Sequence, residues 1–236
     1  MGHVIIRSNR SSPWIHEPGL DLITDYSYNV LPPIDGWSLQ SLNGTQAIVT
    51  RGDEPYGSPC LNIGVTNGMD PDTEPVIHEQ GLSNLDELYA AWWWRWDSDF
   101  HMSSAGLSKM MFMWVDPSGQ AFIAQRPEVA YQEPHLTCVD LEFTPRGGYP
   151  QTNWPNKTET EIYRGTWYFF EWYWKLDSGG GNGIMRWWVD GALNGELLNL
   201  TNPAQKINFF QLAPTIQEVP SSTRYMQCDH IRLTGA

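Results

Sequence analysis

Along much of the chain, apolar and polar residues alternate one by one. In Trp167–Leu176 one set of alternate positions is Tyr168, Phe170, Trp172, Trp174 and Leu176; the other is Trp167, Phe169, Glu171, Tyr173 and Lys175. Side chains two apart on a strand share a face. The first set therefore predicts a core face and the second a face that meets solvent or a ligand. Met185–Val189 divides the same way, with Met185, Trp187 and Val189 inward and Arg186 and Trp188 outward. Thr137–Phe143 puts Val139, Leu141 and Phe143 inward and Cys138, Asp140 and Glu142 outward. Leu88–Trp96 separates Ala90, Trp92, Trp94 and Trp96 from Tyr89, Ala91, Trp93 and Arg95. These strands are expected to contribute to one shared outer face. Further strand-like runs are Gln46–Arg51, Cys60–Val65, Lys109–Val115, Ala121–Gln125, Ile207–Leu212 and Met226–Leu233.

Breakers such as Asp53-Glu54-Pro55, Asp116-Pro117-Ser118-Gly119 and Ser178-Gly179-Gly180-Gly181 separate the runs. Short β-branched and aromatic runs spaced by turn clusters predict an all-β sandwich or barrel. Only Asn84–Tyr89 suggests a helical turn. Pro13, Pro18, Pro32 and Pro33 mark residues 1–35 as an irregular arm with room for a short strand. No repeat or linker interrupts residues 36–236, which read as a single domain.

Composition narrows the function. The chain has 236 residues, 41% of them hydrophobic, enough for a sizeable core. It carries 13 Trp, a density that points to an aromatic binding surface or interface. A net charge of −13 with 14 Lys+Arg argues against nonspecific nucleic-acid or anionic-membrane binding, because both need a basic surface. It favours a neutral or cationic partner, or a bound cation. No apolar run is long enough to span a membrane, and Met1–Arg10 lacks the apolar stretch of a signal peptide. The expected location is extracellular or on a virion surface, reached by a route such as lysis. Cys60, Cys138 and Cys228 are an odd count without metal-type spacing, so buried thiols are favoured over a single bridge.

Three stretches resemble the concanavalin A-like lectin/glucanase superfamily, in particular its polysaccharide-lyase-like and laminin-G-like jelly rolls. The first is Leu88-Tyr89-Ala90-Ala91-Trp92-Trp93-Trp94-Arg95-Trp96 with Ser98-Asp99-Phe100 and then Lys109. The second runs from Arg164-Gly165-Thr166-Trp167 through Trp188-Val189-Asp190-Gly191, and the third is Cys228-Asp229-His230-Ile231. The resemblance covers roughly Asp35 to the C-terminus. It implies an antiparallel two-sheet jelly roll, one sheet convex and one concave, with ligands in the concave groove.

Sugar rings offer flat C–H faces to Trp and Tyr and hydroxyls to charged and amide groups. Trp93, Arg95, Lys109, Asp140, Glu142, Glu171, Tyr173, Arg186 and Trp188 are therefore the candidate ligand-binding residues. Hydrolysis needs two carboxylates across the bond, and Asp140, Glu142 and Glu171 are the candidates. Asp140-Leu141-Glu142-Phe143 lacks the denser Glu-x-Asp-x-x-Glu pattern of jelly-roll glucanases. Lyase chemistry needs a neutraliser for a uronate carboxylate and a Tyr or His base; Tyr173-Trp174-Lys175 resembles the Tyr-x-Lys fragment of alginate-lyase-like members, whose Gln-x-His partner motif is absent. A structural calcium is an option at Asp70, Asp72 and Glu74, with Asp229 added by the resemblance.

The sequence favours a non-catalytic jelly roll that recognises a glycan or a protein surface, such as a virion decoration protein. The alternative is a polysaccharide lyase or glycoside hydrolase working in the groove. The expected partners are a polysaccharide, a cell-surface glycan or a capsid protein, with homo-oligomer contacts through the outer aromatics.

Overall fold

Alternating aromatics need two apolar faces to pack against each other, and the computed structural model consists of two such sheets. It describes residues 14–41, 43–57, 59–70, 73–100, 108–115, 119–125, 135–136, 139–144, 162–201, 206–216 and 222–236. The strands are β1 (Asp21–Tyr26), β2 (Trp37–Ser41), β3 (Thr45–Val49), β4 (Cys60–Val65), β5 (Ile77–Leu85), β6 (Glu87–Trp96), β7 (Ser108–Val115) and β8 (Gly119–Gln125). They continue as β9 (His135–Leu136), β10 (Val139–Thr144), β11 (Ile162–Tyr163), β12 (Tyr168–Lys175), β13 (Gly183–Val189), β14 (Ala192–Leu200), β15 (Ile207–Ile216) and β16 (Arg224–Gly235).

Sheet A runs β14-β13-β12-β6-β16-β4-β3, with β1 also paired to β16, and sheet B runs β10-β8-β7-β15-β5-β2. Every pairing within the two sheets is antiparallel. The protein is an all-β, two-sheet sandwich. The expected helical turn at Asn84–Tyr89 is instead the corner between β5 and β6. Asn84 takes a positive φ of 56°, which turns the chain from one sheet to the other.

The core between the sheets holds Trp92, Trp94 and Trp96 of β6 and Phe170, Trp172 and Trp174 of β12. Trp187 of β13 and Phe210 of β15 join them. Trp92, Trp94, Phe170, Trp172, Trp174 and Trp187 were expected in the core; alternation grouped Trp96 with Trp92 and Trp94, and the strand of Phe210 was not divided into faces. Tight hairpins hold the register of sheet A. Asp190 and Gly191 take φ values of 49° and 80°, the paired left-handed conformations of a two-residue turn. Asp190 Oδ1 also accepts the Phe169 N–H at 2.9 Å.

The described part of the N-terminal arm, residues 14–35, packs onto the sandwich. Residues 21–26 form β1 beside β16, and Tyr26 and Tyr28 are core residues. Cys60 and Cys228 are buried free thiols; Cys138 lies outside the described residues. Among the described residues, no helix is long and apolar enough to cross a membrane.

Candidate functional site

Pairing divides the candidate residues between two faces. Trp93, Arg95, Glu171, Tyr173, Lys175, Arg186 and Trp188 belong to sheet A, whereas Lys109, Asp140 and Glu142 belong to sheet B. The single shared outer face expected from alternation is therefore two faces, on opposite sides of the sandwich. Alternation sorts side chains within one strand but says nothing about which sheet the strand joins.

The outer face of sheet A is largely closed. The segment 14–20 lies over it, and Trp14 and Leu20 pack against Tyr89, Ala91, Trp93 and Phe169. Trp14 sits 5.4 Å from the Phe169 ring and 5.2 Å from the His230 ring, with Arg232 5.7 Å from its own centroid. Arg232 also holds Glu17 through two bonds of 3.1 and 3.0 Å. The His16 ring stacks on Trp188 at 4.4 Å and 9°.

Glu171 is sealed beneath this cover at 0% exposure. It accepts the Tyr89 hydroxyl at 2.7 Å and the His16 N–H at 3.2 Å, and His16 Nδ1 lies 2.8 Å from its second oxygen. Burial first, and then Glu171, push the Tyr89 phenol upward. Trp93 is 2% exposed and Arg95 is tied to Asp53 at 2.7 Å. Trp93, Arg95 and Glu171, expected to meet solvent or a ligand, are covered by the chain itself.

At the open end of this face, Tyr173 and Lys175 both bond Glu87 at 2.7 Å. Burial raises the Glu87 carboxyl, but the Lys175 and Tyr173 bonds outweigh it and hold the group low. Burial, and then Glu87, push the Tyr173 phenol upward. That is the wrong direction for a ready base.

Sheet B presents a different surface. Phe112 and Trp114 stack at 5.9 Å and 16°, and Phe209 lies 5.8 Å from Trp114. Lys109 Nζ stands 6.0 Å from the Phe112 centroid. A polar chain runs beside these rings. Trp114 Nε1 donates to Gln211 at 2.6 Å, Gln211 Nε2 donates to Glu79 at 2.6 Å, and Gln40 donates to the other Glu79 oxygen.

Register extends this surface across the sheet. Asp140 pairs with Ala124, Ala124 with Lys109, and Lys109 with Thr215. Glu142 pairs with Phe122, Phe122 with Phe112, Phe112 with Gln211, and Gln211 with Glu79. Directly opposed residues share a face. The two backbone rows therefore align Asp140 with Lys109 and Glu142 with Phe112, two strands apart in sheet B.

Sequence reasoning missed Phe112, Trp114, Gln211 and Glu79 here, and His16 on the other face. Strict alternation from Lys109 groups it with Met111 and Met113, which are core residues. A register shift between Lys109 and Met111 breaks that alternation. It turns Lys109 to the same side as Phe112. A lysine two residues from an inward methionine was the available signal.

The acidic loop and Asp229 do not meet. Asp229 follows Cys228, which pairs with Leu61 near the start of β4, whereas Asp70 follows the Val65 end. At about 3.3 Å per residue those ends are ~16 Å apart. Glu74 is engaged by Thr215 at 3.4 Å, and Asp72 lies outside the described residues. Among the described residues, no three His, Cys, Asp or Glu groups gather as a metal site.

Known structures of the same shape fix the fold. An alginate lyase from a Chlorella virus superposes with a TM-score of 0.61 over 85% of this chain and 93% of its own, at 11% identity. The chain has the concanavalin A-like jelly-roll fold. An endo-β-1,4-glucuronan lyase from the fungus Trichoderma reesei matches this jelly roll with a TM-score of 0.55 and 14% identity, over 85% and 92% of the two chains. A carbohydrate esterase of the Shiga toxin-encoding bacteriophage phi24B gives 0.58 at 11% identity, over 92% of the jelly roll and 100% of its own chain. No protein-family model matches the sequence, and no curated protein is significantly similar to it.

Proposed function

We propose that the outer face of sheet B holds an acidic polysaccharide and that the protein cleaves it by β-elimination. The observation that carries this reading is Lys109 beside the Phe112–Trp114 stack, with the Trp114–Gln211–Glu79 chain next to it. Stacked rings suit the C–H faces of successive sugars. Amide and carboxylate groups suit their hydroxyls. An ammonium supplies what a uronate needs, a cation that stabilises charge as it builds on the carboxylate.

In the reaction, the proton on C5 leaves to a base, a C4–C5 double bond forms and the C4–O bond breaks. The proton returns to the leaving oxygen. Asp140 and Glu142 stand in the register rows of Lys109 and Phe112, which supports giving them the proton transfers. Structural neighbours named for an activity include alginate lyases, a glucuronan lyase and a carbohydrate esterase. They support the enzymatic reading over virion decoration.

The test is incubation with alginate and with glucuronan, following the ultraviolet band of the unsaturated product. Lys109→Ala is expected to lower kcat/KM by about 100-fold, the usual loss for one charge-stabilising donor. Tyr173→Phe is expected to leave it unchanged. Reducing ends without the ultraviolet band would make the enzyme a hydrolase, and binding without cleavage would make it a lectin. Either result sinks the elimination reading.

A further inference from the structure

On the opposite sheet, where segment 14–20 ends its cover, a groove of about 570 Å³ opens over β12 and β13. That volume lies in the ordinary range for small-ligand sites. Lys175 and Arg186 line it, and among the described residues no Asp or Glu does. On a chain of net charge −13, the groove wall itself carries its cations without a carboxylate among the described lining residues. Glu87 and Glu196, the partners of these cations, reach them from the flanking strands β6 and β14.

Arg186 bonds Glu196 through Nε, so among the described residues its terminal nitrogens remain for a ligand. Lys175 and Arg186 are 35% and 38% exposed, and ion pairs at such sites contribute little, so a ligand can compete for them. Tyr173 and Ile184 supply flat and aliphatic surface, and His16 closes one wall. Asn182 is set in place by its own loop. Asp177 Oδ1 accepts the N–H groups of Gly179, Gly181 and Asn182, each at 3.0 Å, and the Asn182 amide bonds Ser178 at both ends.

We propose that this groove is a second ligand site, for a single carboxylate-bearing sugar unit. The carboxylate is held by Arg186 and Lys175 and the ring lies against Tyr173 and Ile184. The site is independent of the sheet B face and stands whether or not that face is catalytic.

The experiment titrates free glucuronate into the Lys109→Ala protein, followed by NMR, with methyl glucoside and inorganic sulfate as comparisons. Millimolar saturation by glucuronate is expected, with both comparison ligands at least several-fold weaker. Arg186→Gln in the same background is expected to weaken glucuronate about tenfold, as loss of one charged hydrogen bond does, with an unchanged near-ultraviolet circular dichroism spectrum. The proposal is overturned if methyl glucoside or sulfate binds as well as glucuronate, if the Arg186→Gln protein binds unchanged, or if the Lys109→Ala protein does not bind at all.

Discussion

His78 shows how much a single buried group can weigh. It projects from β5 into the core, fully buried, and Nε2 meets Gln46 of β3 at 2.7 Å, so one bond links the two sheets. Burial pushes its pKa down to about 4 from the usual 6.5. Between those values the unfolded chain binds a proton that the folded chain refuses. Stability therefore falls as pH drops from 6.5 toward 4 and levels off below, by roughly 3 kcal/mol in all. Urea midpoints at pH 7 and pH 4.5 are expected to show a smaller pH loss in His78→Gln than in the parent. An equal loss in both proteins would remove His78 as the cause. Not all of this scale was legible beforehand. The inward tryptophans followed from alternation alone. Lys109 came from resemblance rather than pattern, and its aromatic neighbours were hidden by one bulge.

At the scale of elements, the segment 14–20 decides what sheet A can do. It converts an aromatic face into a second, thinner core. Trp14→Ala is expected to cost about 2 kcal/mol, less than a fully buried Trp because Trp14 is only partly covered. A urea titration reads it directly. The hairpin before β14 makes a separate prediction. Gly191→Ala places a Cβ at a positive φ, 3.1 Å from Ile15, and is expected to cost about 1 kcal/mol or more by the same measurement. The β6, β12 and β13 strands were readable because their inward positions are almost all large and apolar. β5 and β14 were not, because Gly81, Asn84, Asn194 and Gly195 dilute their pattern and only pairing with stronger neighbours holds them extended. The cover over Glu171 left no local signal, since nothing in Trp14-Ile15-His16-Glu17 says which strands lie beneath it.

For the whole molecule, the two sheets keep the two proposed sites apart. The Lys109 face and the Arg186 groove look outward in opposite directions, so the two proposed ligands would not touch. The class of fold followed from strand spacing, whereas strand order, which decides which residues meet, could not. It depends on long-range pairings such as β6 with β16, whose partners Trp96 and Met226 are far apart in sequence.

That same β16 gives the protein a particular life on the ribosome. It is the last of the described strands to be synthesised, yet it lies in the interior of sheet A, bonded to β6 on one side and to β4 and β1 on the other. Until residues 224–235 leave the exit tunnel, β4 and β6 present unpaired edges and the tryptophans of β6 lack their neighbour. A nascent chain stopped short of Arg224 is therefore a natural client for chaperones and a hazard for aggregation.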